Sequence, residues 1–263
     1  SDSLASDTTL LDSKEYEDLS ENNPDSTNKA EVHSGEDTTE SSDLWAPPTD
    51  AEHDSDSETS EDISQPLECS PCDGDMIVSD ESSLATAGYC TRISGGLLIK
   101  DTLLKSLSEL GEMSCLTEVE GSVEIKDNPL LVNLSGLETL VSVGDALDIS
   151  HNDSLVHISA LNALKTVTGN VHITYNDNLL NVAGLSSLET LGGYLGLGWN
   201  DSLQQLDSMP LLIEIGEDLL IQGNDKLTHI DGLMNLESVG DYVGIKRNAM
   251  LTNLNGLAKL KTI

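Results

Sequence analysis

This 263-residue chain has three kinds of side chain that could take part in catalysis, metal binding or disulfide formation: its carboxylates, six histidines and four cysteines. The histidines (33, 53, 151, 157, 172 and 229) do not recur at the spacing of metal ligands, and no nucleophile-elbow, H-E-x-x-H or phosphate-loop motif is present. Glu124 and Asp148 would be neighbours on one strand face, where paired carboxylates could hydrolyse a polysaccharide. A solvated acidic face explains the pair more simply, so the sequence favours a protein that is not an enzyme and predicts no metal and no cofactor.

The cysteines lie at positions 69, 72, 90 and 115, and four cysteines allow three disulfide pairings. Cys90 and Cys115 each precede a turn of consecutive coils and could stack within disulfide range. A four-cysteine zinc site is less favoured because only one C-x-x-C is present, where a zinc ribbon needs two. A redox role for Cys69-Ser70-Pro71-Cys72 would need a βαβ context that the sequence lacks. We therefore expect structural disulfides.

Aromatic side chains are scarce, with two Trp, five Tyr and no Phe. His151, Tyr175 and Trp199 nevertheless follow one another at intervals of 24 residues, which would place them in one column of a stacked repeat. Exposed Tyr and Trp on a rigid sheet commonly anchor a protein or sugar ligand, although such rings can also simply stabilise each other across strands. The candidate ligand-binding residues are His151, His172, Tyr175, Tyr194, Trp199, Tyr242 and Arg247.

The interval of 24 belongs to an internal repeat of six copies that fills residues 122–263. We number the positions of each copy from Ser122, Ala146, Asn170, Tyr194, Asp218 and Tyr242. Aliphatic residues at positions two and four alternate with polar ones, which predicts a β-strand with one buried face and, by the same alternation, outward side chains at positions one and six. Further aliphatic columns follow, and the first of them is predicted to begin at Leu130. Stacking the copies in register as a solenoid would bury these columns against each other.

Position seven is an asparagine in every copy, namely Asn128, Asn152, Asn176, Asn200, Asn224 and Asn248. At a corner just past a strand, inward amides can bond the backbone of adjacent coils, so we predict a structural ladder. Asn152 and Asn200 also begin glycosylation sequons, but ladder residues would be sterically unavailable. Asn133, in Asn133-Leu134-Ser135, is the one acceptor that we expect to be accessible.

Residues 1–66 differ from the repeats in composition. They contain 20 of the 47 acidic side chains of the chain and 2 of its 12 basic ones. Such a segment buries too little apolar surface to offset its conformational entropy, so we predict a disordered, extended acidic stalk. A low-affinity calcium-binding or basic-protein-binding tail is the alternative, and Trp45-Ala46-Pro47-Pro48 is the one candidate docking motif. The net charge of −35 argues against a nucleic-acid partner, and no apolar run is long enough to span a membrane.

The repeats resemble a known family. The unit L-x-I-x-x-N-x-x-L is similar to the core of leucine-rich repeats, and the aliphatic-Gly corner of VGDALDI (143–149) looks like the receptor L-domain type. The segments CDGDMIV (72–78) and CTRISGGLLI (90–99) resemble the Cys-bounded N-terminal cap of such domains. The resemblance implies a right-handed coil stack, an extracellular location, and a disulfide Cys72–Cys90, which leaves Cys69–Cys115.

The sequence departs from that family pattern in its first coil and in its last coil. The first coil, within the predicted cap 67–121, is irregular: Ile99 and Ile125 are 26 residues apart, and no Asn takes the ladder place between Asp101 and Leu103. At the other end, Ile263 completes the last aliphatic column with no polar cap, which predicts that the array is truncated or that a partner covers its edge.

The sequence therefore predicts a mainly β, leucine-rich solenoid with an acidic N-terminal tail. Its expected role is that of a secreted or lipid-anchored cell-surface module that binds or adheres to a protein or glycan without catalysis. A structural cell-envelope spacer with no specific ligand is the alternative, and a β-helical enzyme is the least favoured of the three.

Overall fold

The computed structural model describes residues 68–106, 113–206 and 209–263. Within these ranges the chain forms two eight-stranded sheets whose paired strands are all parallel. The predicted fold class, a mainly β solenoid built from repeats, is confirmed. The predicted stalk 1–66, including Trp45-Ala46-Pro47-Pro48, lies outside the described residues.

Each coil contributes one strand to each sheet, and strands are neighbours in the order in which the coils follow along the chain. The narrow sheet consists of β1 Ser70–Cys72, β3 Cys90–Ile93, β5 Glu118–Val119, β7 Ser142–Val143, β9 Thr166–Val167, β11 Thr190–Leu191, β13 Glu214–Ile215 and β15 Ser238–Val239. The broad sheet consists of β2 Met76–Val78, β4 Leu97–Lys100, β6 Val123–Lys126, β8 Leu147–Ser150, β10 Val171–Thr174, β12 Leu195–Gly198, β14 Leu219–Gln222 and β16 Val243–Lys246. Short 3-10 helices lie between them at Ser159–Ala163, Ala183–Leu185, Asp231–Leu233 and Asn255–Leu257.

The core lies between the two sheets and consists of the aliphatic columns. Val171 is in register with Leu147 on one side and Leu195 on the other, so equivalent side chains of successive coils stack. One column is corrected by the structure: Leu131 is fully buried, whereas the predicted Leu130 is 43% exposed. In the next four coils the buried residue stands three places after the ladder Asn, at Leu155, Leu179, Leu203 and Leu227. Pro129-Leu130-Leu131 offers two leucines, of which only the second meets that spacing.

The coils approach each other closely at the corner that follows the narrow strand. A Cβ placed on Gly240 would lie 1.9 Å from the carbonyl oxygen of Gly216, so a larger residue would force adjacent coils apart.

A short cap precedes the repeats. Helix α1, Glu81–Ala87, begins with Asp80 in a capping box with Ser83, buries Leu84 and packs against β2. Disulfides join Cys72 to Cys90 and Cys69 to Cys115, with Cα–Cα distances of 5.5 and 5.9 Å. The alternative Cys90–Cys115 pairing is not the one that forms.

The asparagines of position seven form a continuous ladder, which is buried from Asn128 to Asn224 and half-buried at Asn248. Asn152 Nδ2 donates to the carbonyl of Ile125 in the preceding coil at 2.8 Å, while the Asn152 backbone N–H donates to Asn176 Oδ1 in the next coil at 3.2 Å. In the irregular first coil the place of the missing Asn is taken by Thr102, whose backbone N–H and hydroxyl both donate to Asn128 Oδ1, at 3.0 and 2.8 Å. The ladder therefore begins one coil earlier than the asparagines do.

The sequons can be placed on this fold. Asn152 and Asn200 are fully buried as ladder members. Asn133 is half-buried, and its Oδ1 accepts from the Ser135 N–H at 2.9 Å and from the Ser106 hydroxyl at 3.0 Å.

Within the described residues, the last coil, 242–263, pairs with the coil that precedes it. Its column residues are less buried than those of the preceding coils, and Leu254 and Ile263 are 51% and 67% exposed.

Candidate functional site on the broad sheet

The outward face of the broad sheet carries all seven candidate ligand-binding residues. His172 lies at position three, Tyr194 and Tyr242 lie at position one, and the other four lie at position six. Tyr242 is 57% and Tyr175 is 38% exposed, and His151 and Arg247 are also exposed. Trp199, Tyr194 and His172 are half-buried.

Position six points outward for a reason that strand alternation does not give. By alternation it would follow positions two and four into the core, but the strand ends at position five and position six turns into the left-handed region. The backbone φ angles there are 56° at His151, 54° at Tyr175, 49° at Trp199 and 54° at Arg247. The expected direction is observed, and its cause is this left-handed corner.

Three rings of position six form a stack that we call the aromatic column: His151, Tyr175 and Trp199. The centroids of His151 and Tyr175 are 4.8 Å apart with 21° between the ring planes, and those of Tyr175 and Trp199 are 5.4 Å apart at 9°. Both faces of the Tyr175 ring are therefore covered by neighbouring rings, and the phenol presents its edge to solvent.

The left-handed conformation is unfavourable for bulky side chains. It costs about 1–2 kcal/mol for most residues and is best tolerated by Gly, Asn and Asp. Three of the four coils outside the aromatic column use such residues at the same corner, namely Asp101, Asp127 and Gly223, and Arg247 is the exception. Stacking returns about 0.5–1.5 kcal/mol per ring pair. The three rings therefore bring little or no net stability to the fold.

Two tyrosines of position one cover glycines on their own strands. A Cβ placed on Gly196 would lie 3.0 Å from Tyr194 Cε2, and one on Gly244 would lie 2.6 Å from Tyr242 Cε1. Tyr194 also meets the ring of His172 edge-on, with centroids 6.1 Å apart. Aromatic cover of strand glycines is a known stabilising device, so a structural role explains Tyr194 and Tyr242 whether or not they bind a ligand.

Each carboxylate considered for catalysis has a basic side chain beside it. Asp148 Oδ1 lies 3.6 Å from His172 Nδ1, while Glu124 contacts Lys126 on its own strand. Burial raises the pKa of Asp148, but contacts with His172, Ser150 and Lys126 outweigh it and hold that pKa below the ordinary value. A general acid needs the opposite shift, so this lowered pKa does not suit Asp148 to that role.

The face also contains residues that sequence reasoning did not single out. Gly223 packs against the indole of Trp199. Thr174, at position five, is buried, and its Oγ1 has no hydrogen-bond partner among the described residues. The signal for Gly223 was present in the sequence, because it is the one position-six residue of the six repeats without a side chain. Thr174 carried no such signal.

A shallow cleft of about 420 Å³ opens at the other end of the same face. Its walls include Met76, Ile77 and Leu98 on β2 and β4, and its polar margin includes Ser122 and Glu124. Ile77 is 57% exposed. In the described ranges no group of three or more His, Cys, Asp or Glu side chains is arranged to hold a metal ion.

Comparison of the chain with protein-family models, with curated proteins and with solved structures found no match. No helix among the described residues is long and apolar enough to cross a membrane.

Proposed function

We propose that this chain is a leucine-rich-repeat protein of the receptor L-domain type that acts at the cell surface or outside the cell as a non-enzymatic binding or adhesion module. Its ligand-binding surface is the outward face of the broad sheet. Both disulfides lie in the cap, and disulfides persist in oxidising compartments such as the extracellular space, which supports the location.

One observation carries the proposal: bulky rings occupy a corner where the backbone favours Asn, Asp or Gly. Tyr175 and Trp199 adopt left-handed φ angles of 54° and 49° although stacking returns only about what that conformation costs. Residues held in strained backbone conformations cluster at ligand sites, and exposed Tyr and Trp are enriched at the centres of interfaces. A ligand that contacts the ring edges accounts for their retention.

The test replaces the rings with the side chain that the corner prefers. In the double variant Tyr175→Asn, Trp199→Asn we expect an unfolding free energy within about 1 kcal/mol of wild type, because strain and stacking are lost together. Binding to a glycan array and to a panel of extracellular proteins is expected to fall at least tenfold.

The control variant removes two apolar side chains that are exposed elsewhere. Ile213 and Met234 are 55% and 54% exposed and lie away from the broad sheet, so Ile213→Asn, Met234→Asn should leave ligand binding intact. If wild type binds nothing on either panel, or if the ring variant binds as wild type does, the structural-spacer alternative is the better account.

A further inference from the structure

The shallow cleft over strands β2, β4 and β6, which we call the cap cleft, is lined by none of the aromatic-column rings. We propose that the cap cleft holds the lysine or arginine side chain of a basic protein partner, with the aliphatic stem on Ile77 and Leu98 and the cationic head on Asp75. The proposal rests on the proposed function, since it gives a partner chemistry to one end of the same face.

The cap cleft lies where one outward side chain is missing. Asp75, Gly96 and Ser122 stand side by side at position one of three neighbouring strands, each directly before residues that pair in register. The atoms nearest to a Cβ placed on Gly96 would be the backbone of Ser122 and Oδ1 of Asp75, at 3.2–3.8 Å. The strand glycines Gly196 and Gly244 are covered by tyrosine rings, whereas none of these nearest atoms at Gly96 belongs to a ring or an apolar side chain. Gly96 is therefore part of an open floor of the cleft.

Position three of the same strands supplies apolar surface beside that floor. Ile77 and Leu98 are in register there, and Glu124 follows on the next strand. Ile77 is 57% exposed and Leu98 is half-buried. Because β2 is the end strand of the broad sheet, no further strand of the described residues lies beyond Ile77. The methylene stem of a lysine or arginine can pack on such aliphatic side chains while its charged head stays at the margin.

The margin of the cap cleft carries one carboxylate that can bind a cation. Asp75 is exposed, and its Oδ1 accepts from the Gly96 N–H at 2.8 Å, which fixes the direction of the carboxylate. Its Oδ2 has no hydrogen-bond or ion-pair partner among the described residues. Glu124, also at the margin, is paired with Lys126, and no lysine or arginine is among the described residues that line the cleft. An ammonium or guanidinium can therefore form a charge-assisted hydrogen bond with Asp75 without displacing a cation of the chain.

The size of the cap cleft and the charge of the chain favour a protein partner over a small molecule. The cleft volume of about 420 Å³ is at the lower end of the ~300–1,000 Å³ of ligand pockets, and such pockets enclose about 70–90% of the surface of a small ligand. A shallow cleft encloses less, so its occupant needs further contacts outside the cleft, which a side chain of a larger partner has. The net charge of −35 attracts a basic partner at long range.

The experiment follows the methyl NMR resonances of the full chain during titration with capped pentapeptides that carry one test residue between pairs of glycines. Lysine and arginine are compared with citrulline, which keeps the stem and removes the charge, and with diaminopropionic acid, which keeps the charge and shortens the stem. We expect at least one cationic peptide to shift the Ile77 and Leu98 methyl resonances with a Kd of roughly 1–10 mM, and both analogues to bind at least about fivefold more weakly. The methyl resonances of Ile213, which is exposed outside the cleft, should not move.

Two variants test the named contacts, each beside a control. Asp75→Asn keeps an oxygen for the Gly96 N–H and removes the charge, so it should weaken binding of the cationic peptide at least about fivefold. Asp73→Asn removes a charge that is also exposed but lies outside the cleft, and it should leave the affinity unchanged. Ile77→Thr shortens the apolar wall and should also weaken binding, whereas Leu103→Thr, outside the cleft, should not.

Three results would overturn the cap-cleft proposal. The methyl groups of the cleft respond to neither cationic peptide, citrulline binds as tightly as arginine, or Asp73→Asn weakens binding as much as Asp75→Asn does, which would mean general attraction by the net charge. None of these contradicts the proposed function, because the Tyr175→Asn, Trp199→Asn variant judges that function at rings outside the cleft. If the ring variant loses its ligands while no peptide binds the cleft, the face is a binding surface and only the cap-cleft proposal fails.

Discussion

Positions six and seven of the repeat are adjacent in the chain and obey different rules. Position seven is asparagine in all six repeats. Position six is filled in turn by Asp127, His151, Tyr175, Trp199, Gly223 and Arg247. Both belong to the same corner, so the difference lies in what each side chain must do there.

Position seven must bond two neighbouring coils at once in a buried place. Asn176 donates to the carbonyl of Ile149 at 2.9 Å and accepts from the backbone of Asn152 at 3.2 Å, and no other side chain of that size offers both a donor and an acceptor in this geometry. Position six needs only a backbone that tolerates left-handed φ. In such a repeat the invariant positions carry the fold, and the positions free to vary on its surface are where recognition is expected.

Asn176→Ala, at position seven, is expected to lower the free energy of unfolding more than any other substitution considered for these two positions. It removes the acceptor for the N–H and side-chain amide of Asn152 and the donor for the Ile149 carbonyl, all buried. Leaving buried polar groups unsatisfied costs about 1–3 kcal/mol each, so we expect a loss of about 3–5 kcal/mol, measured by urea unfolding. Asn248→Ala, at the half-buried last rung, should cost less than half of that. Equal costs at the two rungs would mean that burial is not the source of the constraint.

A smaller loss is expected where the ladder starts without an asparagine. The hydroxyl of buried Thr102 donates to Asn128 Oδ1 at 2.8 Å, and Thr102→Val keeps the shape while removing that bond. The backbone N–H of residue 102 still donates to the same oxygen, so we expect a loss of about 1 kcal/mol in the free energy of unfolding. An unchanged free energy would show that Thr102 fills the ladder place by packing alone.

A substitution at position six should change the free energy of unfolding far less than one at position seven. Tyr175→Asn loses two stacking contacts and relieves the strain of a bulky left-handed residue, so the free energy of unfolding should change by no more than about 1 kcal/mol in either direction. A loss above about 2 kcal/mol in urea unfolding would show that the aromatic column is structural and would remove the main support for a binding role.

The features that could be predicted from the sequence are those that recur in every repeat. The six copies of Asn at fixed spacing implied the ladder, and the aliphatic columns implied the solenoid core. Leu130 was placed wrongly because two adjacent leucines satisfied the pattern equally and only the corner geometry selects Leu131. Thr102 was missed because it performs an Asn's task with another side chain. The left-handed turn at position six was missed because side-chain alternation carries no signal of where a strand ends.

Position eight, immediately after the ladder, gives the smallest expected effect. Asp153, Asp177 and Asp201 stack there in successive coils, and the pKa of Asp177 is raised, first by partial burial and then by the charges of Asp201 and Asp153. A raised pKa in the folded state means that stability is full below the unfolded value near 3.8 and falls as the pH rises through the folded value.

Asp177→Asn should therefore match wild type in unfolding free energy near pH 3 and exceed it at pH 7. The gain should be only a few tenths of a kcal/mol, because the side chain is only slightly buried and its charge is largely screened by solvent. Repeating the pH 7 measurement in about 1 M salt separates the two causes, since salt screens repulsion between the aspartates and leaves desolvation nearly unchanged. An advantage that persists in high salt indicates burial, which would make position eight an extension of the buried corner. A stability advantage that disappears in high salt indicates like-charge repulsion. Position eight would then belong, like position six, to the solvent-exposed surface on which the fold does not constrain the residue type.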